Sequence, residues 1–119
     1  MKRVLVSLLS AAVLSVALVV PATAAPPVKI PTLTASCAVG GTTAYSWSHL
    51  KVLAFQVWWM TPDFGTYVAT TPVFANPHPK NSGTGSVPTA SNVPAGDVAI
   101  VDFIYDANGD AWQAQATCN

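Results

Sequence analysis

The chain has 119 residues, 51% of them hydrophobic and 8% charged, with a formal net charge of zero. That length gives room for one domain. Beyond residue 24 the charges are Lys29, Lys51 and Lys80 against Asp63, Asp97, Asp102, Asp106 and Asp110, and with no basic patch to neutralise phosphates nucleic acid is not an expected partner.

Residues 1–24 have the organisation of a signal peptide. Lys2 and Arg3 are positive, Val4 to Val20 is apolar apart from three serines, and Pro21 precedes Ala22-Thr23-Ala24. Small residues at Ala22 and Ala24 fit cleavage after Ala24. The expectation is a helical segment that is removed, leaving a secreted, extracellular chain of about 95 residues with no membrane attachment. A retained anchor is the competing reading, because the apolar run reaches the lower limit for spanning a bilayer. Residues 25–31, with Pro26, Pro27 and Pro31, form a flexible, extended lead-in.

From residue 32 the pattern is that of strands. Thr32 to Val39 alternates, with Leu33, Ala35, Cys37 and Val39 on the inner side, and Gly40-Gly41 marks a turn. Thr42 to Ser48 follows, with Thr43, Tyr45 and Trp47 on one face and Trp47 as the core anchor. Val52 to Met60 is the longest run; its large apolar set, Leu53, Phe55, Val57 and Trp59, is assigned inward, which sends Trp58 to the opposite face. Thr61-Pro62-Asp63-Phe64-Gly65 is a turn, and Thr66 to Phe74 a strand that Pro72 marks as an edge or a bulge. Asn76 to Ser86, with two prolines and two glycines, reads as a long surface loop, and Ser86 to Thr89 as a short strand. Val93 to Asp97 turns the chain into a final hairpin. There, Asn108-Gly109 predicts a two-residue turn that pairs Tyr105 with Trp112, Phe103 with Ala114, Val101 with Ala116 and Ala99 with Cys118.

Those six to seven short strands predict an all-β fold, a small antiparallel β-sandwich over residues 32–119. Cys37 and Cys118 are the only cysteines, and in an exported chain they predict one disulfide. Closing so long a loop contributes about 4 kcal/mol in the chain-entropy model.

Trp47 on the second strand, the turn Pro94-Ala95-Gly96 and the run from Val101 to Gly109 resemble a fibronectin type III or related immunoglobulin-like domain. In that family a tryptophan of the second strand packs in the core, and the penultimate strand ends in a similar Tyr-Asp-x-x-Gly stretch. The resemblance covers about half of the chain beyond the signal segment. It implies a sandwich in Greek-key order and a role as spacer, adhesion or binding module, with no activity implied. Asp102 and a disulfide between first and last strands depart from the family pattern.

No arrangement of residues points to catalysis. There is no Gly-x-Ser-x-Gly elbow, no histidine beside an acid, and no ligand spacing around His49 or His78. Asp106, Asn108 and Asp110 alternate as in a calcium loop, but the sixth position is Ala111 and the twelfth Thr117, so a hairpin turn is expected instead. The chain is therefore expected to be no enzyme, with no metal and no cofactor. The functional hint is the aromatic content, four tryptophans and three tyrosines. Trp58, with Met60 and Phe64, is the candidate ligand-binding platform, able to stack on sugar rings or anchor a protein contact; alternatively the 76–86 loop or a second copy covers Trp58. The expected function is binding or adhesion through a sheet face or loops, to another protein or a polysaccharide. Carbohydrate binding through Trp58 is the first alternative, and hydrolase inhibition the second.

Overall fold

The computed structural model describes residues 3–5 and 30–119, the first three by their backbone alone. These residues are all-β. The strands are β1 (Arg3–Leu5), β2 (Thr32–Cys37), β3 (Thr42–Ser48), β4 (Ala54–Met60), β5 (Tyr67–Thr70), β6 (Phe74–Ala75), β7 (Ser82–Pro88), β8 (Val98–Ile104) and β9 (Ala111–Thr117). They form two sheets. The larger has the order β1-β9-β8-β4-β5, with β6 also on β4, and the smaller β2-β3-β7. Where a signal helix is expected, Arg3–Leu5 pair with β9 in parallel; the rest of that segment and most of the lead-in lie outside the described residues.

The sheets face each other across one apolar layer. Leu33, Tyr45 and Trp47 from the small sheet meet Phe55, Val57, Trp59, Val101, Phe103 and Ala114 from the large one. Strand alternation puts them there: on β3 and β4 the inward residues are the large apolar ones. The inward assignments of Thr43, Tyr45, Trp47, Phe55, Val57 and Trp59 hold. Val39 and Leu53 do not follow the alternation and are exposed. β2 ends at Cys37, and the turn closed by Ala38 N–H to Thr42 O takes Val39 off the sheet. Ahead of β4, the fully buried Val52 fills the place assigned to Leu53.

Cys37 and Cys118 are bonded, with Cα atoms 4.5 Å apart and a sequence separation of 81. Val39 N–H to Asn119 O and Asn119 N–H to Cys37 O flank the bridge. Beneath it lies a buried polar chain: the Trp59 indole donates to Thr43 Oγ1 at 3.1 Å, and Thr43 Oγ1 shares a 2.9 Å hydrogen bond with Thr89 Oγ1.

The terminal hairpin keeps its predicted faces with pairing shifted by two residues. Phe103 faces Trp112, Val101 faces Ala114 and Ala99 faces Ala116. Asp106 is the cause. Its carboxylate accepts the N–H groups of Asn108 and Asp110, both at 3.0 Å, and Gly109 takes a φ of 84°. The loop therefore spans 106–109, and Tyr105 N–H donates to Asp110 O instead of joining a longer ladder. An even shift leaves every side chain on its own face.

Two further corrections concern strand count, which is eight from residue 32 onward among the described residues. The run expected from Thr66 to Phe74 is divided around Pro72 into β5 and β6, both edge partners of β4. The expected 76–86 loop holds most of β7, which pairs with β3 along its whole length. On β7 the inward residues Gly83 and Gly85 have no side chain, and the rings of Trp47 and Tyr45 occupy the space instead. A Cβ at Gly83 would lie 2.7 Å from Trp47 Cη2, and one at Gly85 2.6 Å from Tyr45 Cε1. Tyr45 is itself packed against Phe55 and Phe103 and has no room to withdraw. Gly85→Ala is therefore expected to lower stability by about 1–3 kcal/mol, read as a lower urea midpoint, whereas Thr84→Ala on the exposed face should change it by less than about 0.5 kcal/mol.

Candidate binding groove

Among the described residues the sandwich is closed on one side and open on the other. On the β2–β9 side the disulfide joins the sheets. Opposite, between β7 of the small sheet and β6 of the large one, lies a groove of about 410 Å³. Its floor is aromatic because β3, β4 and β6 all send rings into this part of the interlayer space. Tyr45 and Phe55 have centroids 4.9 Å apart, Trp47 and Phe55 5.2 Å, and Phe55 and Phe74 5.6 Å. One wall is Ser82 to Ser86 of β7, and the other is Ala75 with Asn76, Pro77, His78 and Lys80.

The 76–80 wall is held by its own hydrogen bonds. Asn76 Nδ2 donates to Val52 O at 2.9 Å, and Asn76 Oδ1 accepts the His78 N–H at 3.1 Å. Lys80 N–H donates to His78 O at 2.7 Å, and the Trp47 indole reaches Lys80 O at 3.4 Å. Two prolines stiffen the same stretch. A preformed wall reduces the ordering cost of binding. The exposed His78 and Lys80 supply polar groups at the rim, and no acidic residue lines the groove. An apolar floor with a few polar rim groups is the usual composition of a ligand site.

The three residues singled out from sequence lie elsewhere. Trp58 is half-buried on the outward face of the large sheet, edge-on to the exposed Tyr67 with centroids 5.4 Å apart. Met60, two residues along the same face, is buried. Phe64 is 46% exposed in the turn after β4, at a φ of 59° that is uncommon for a bulky residue. The turn is fixed by Asp63, whose Oδ1 accepts from the Thr61 hydroxyl and the Gly65 N–H; those bonds hold its carboxyl below the usual range. β7 belongs to the other sheet, so that part of the 76–86 stretch pairs with β3 rather than folding over Trp58. Beside Trp58, the row Gln56, Asp102, Gln113 crosses three strands, and Gln113 Nε2 donates to the fully buried Asp102 at 2.5 Å.

The groove residues Phe74, His78 and Lys80 were not legible as a site. Their common location depends on β7 closing one wall, which the Gly-rich sequence conceals. The small sheet's outer face is a second shallow concavity lined by hydroxyls, including Thr34, Ser36, Ser46, Thr84 and Ser86. His49 and His78 are both exposed, and among the described residues no group of three or more His, Cys, Asp or Glu side chains is placed to hold a metal.

Neither a family model nor a curated protein matches the chain. Among solved structures it is similar to a superoxide reductase (neelaredoxin) from Ignicoccus hospitalis, at 9% identity and a TM-score of 0.41, over 76% of this chain and 81% of that one. That structure is an enzyme, so the expectation that the chain is no enzyme is corrected and not carried further. A likeness this distant carries no argument about what this chain does.

Burial raises the pKa of Tyr45 above its ordinary value. The folded state therefore favours the protonated phenol. That contribution is whole below the unfolded value of about 10 and is lost as pH rises through the raised folded value. Urea midpoints measured from neutral to alkaline pH should fall less steeply above pH ~10 for Tyr45→Phe than for the unaltered chain.

Proposed function

We propose that the chain is an exported binding module whose ligand site is the seam groove. The carrying observation is the aromatic floor of Tyr45, Trp47, Phe55 and Phe74 beneath a hydrogen-bonded rim with Lys80 and His78. In this reading residues 1–24 are a cleaved signal peptide, 25–31 a lead-in, and 32–119 an immunoglobulin-like sandwich related in build to fibronectin type III domains. The protein is secreted and works by contact with another protein or a polysaccharide. The disulfide supports export, since such bridges persist in oxidising compartments.

A second reading has its own observation. Trp58 stands edge-on to the exposed Tyr67 and two residues from the half-buried Gln56, a planar amide that suits hydroxyl recognition next to a stacking ring. Here the outward face of the large sheet takes a polysaccharide.

Retention on immobilised chitin, cellulose, peptidoglycan and an array of short peptides separates the two readings. The groove reading expects Phe74→Ala with Lys80→Glu to weaken retention by about tenfold or more and Trp58→Ala to leave it unchanged. The reverse pattern supports the second reading and removes the first, and no retention on any surface removes both.

A further inference from the structure

The small sheet ends at β7, and among the described residues no strand pairs with its far side. One hydrogen bond fixes the direction of its backbone groups. Thr89 N–H donates to Gly41 O at 3.0 Å, and along an antiparallel ladder the bonded pairs recur every second residue. Val87, Gly85 and Gly83 therefore turn their N–H and C=O towards Thr43, Tyr45 and Trp47 of β3. Ser86, Thr84 and Ser82 turn theirs to the open side. Pro88 has the same outward parity, where its missing N–H removes no ladder bond.

Sheet edges in proteins are commonly guarded by charge, proline, a bulge or a covering segment. Between Ser82 and Ser86 there is neither charge nor proline, and the serines and the threonine are exposed. Beneath this edge, the side-chain space of Gly83 and Gly85 is taken by the rings of Trp47 and Tyr45. A strand laid beside β7 would send its inward side chains onto those rings and Phe74, at positions about 6.8 Å apart. The edge and the groove thus offer main-chain partners and side-chain room in one place.

We propose that β7 is a docking edge for an extended peptide segment of another protein, which adds as a fourth strand of the small sheet. Alternate bulky apolar side chains of that segment lodge in the groove, while main-chain hydrogen bonds to Ser82, Thr84 and Ser86 supply affinity. Lys80, just before β7, and the lack of acidic groove residues favour an acidic residue at the end of the segment nearest Lys80. This proposal rests on the groove being the ligand site and names the partner class for it.

The test titrates the isotope-labelled, oxidised full chain with an acetylated and amidated peptide, Asp-Thr-Phe-Thr-Val-Thr. Two controls carry methyl groups on alternate backbone nitrogens in opposite phase, and a chitin hexasaccharide is run in parallel. The expected result is movement of the Ser82, Thr84 and Ser86 amide signals with the unmodified peptide, and a loss of affinity of at least about tenfold in one methylated phase. Equal affinity for all three peptides overturns strand addition, and so does movement of the Gly83 and Lys80 signals with the hexasaccharide alone; both leave the groove as the site. Shifts that appear on concentrating the chain without peptide make the occupant a second copy and overturn the proposal. No movement with any probe overturns both the proposal and the groove reading.

Discussion

The packing of Tyr45 and Trp47 against the two glycines of β7 is the constraint from which the groove, its aromatic floor and the open edge follow. Both rings point into the interlayer space because alternation on β3 sends them there with Thr43. At that height the neighbouring strand can lie flat against β3 only if its inward residues have no side chain, and the close approach of the rings to Gly83 and Gly85 meets that condition. A strand so built has little of its own to bury beyond Val87. Its stability comes from the ladder to β3 and from the rings of a neighbouring strand, and it contributes no bulk to close the seam against β6.

The other side of the molecule is arranged in the opposite way. There Cys37 and Cys118 join β2 to β9 covalently, backbone bonds between Val39, Asn119 and Cys37 extend the join, and Thr43, Thr89 and Trp59 satisfy one another beneath it. Fixing two sheets along one side and leaving the other lined by rings places a strip of aromatic surface at the seam. For a small domain with a limited core, about 4 kcal/mol from loop closure is a large part of the stability that allows such an opening.

The fold was largely legible in the sequence wherever the inward side of a strand carried large apolar side chains. The faces of β3, β4, β8 and β9 and the pairing of the cysteines were all readable from period-two alternation and cysteine count. The hairpin register differs by two residues from the one Asn-Gly predicts because the Asp106 carboxylate caps the backbone of a longer loop. β7 was missed for a deeper reason. Ser-Gly-Thr-Gly-Ser does alternate, with hydroxyls outward and glycine inward, but its inward partner in the pattern is the absence of a side chain. The signal lay in complementarity between that stretch and Tyr45 with Trp47, which no local window contains. The groove cannot be read without β7, whereas Trp58, Met60 and Phe64 stand out in the sequence by size alone and lie on an outward face and in a turn.

Amide hydrogen exchange on the free, oxidised chain tests this arrangement most directly. If β7 is held against β3 with one edge open, Gly83, Gly85 and Val87 exchange slowly while Ser82, Thr84 and Ser86 exchange fast. Uniformly fast exchange from residue 82 to 87 would show a loop in place of the strand, and uniformly slow exchange would show an edge already covered; either result contradicts the account.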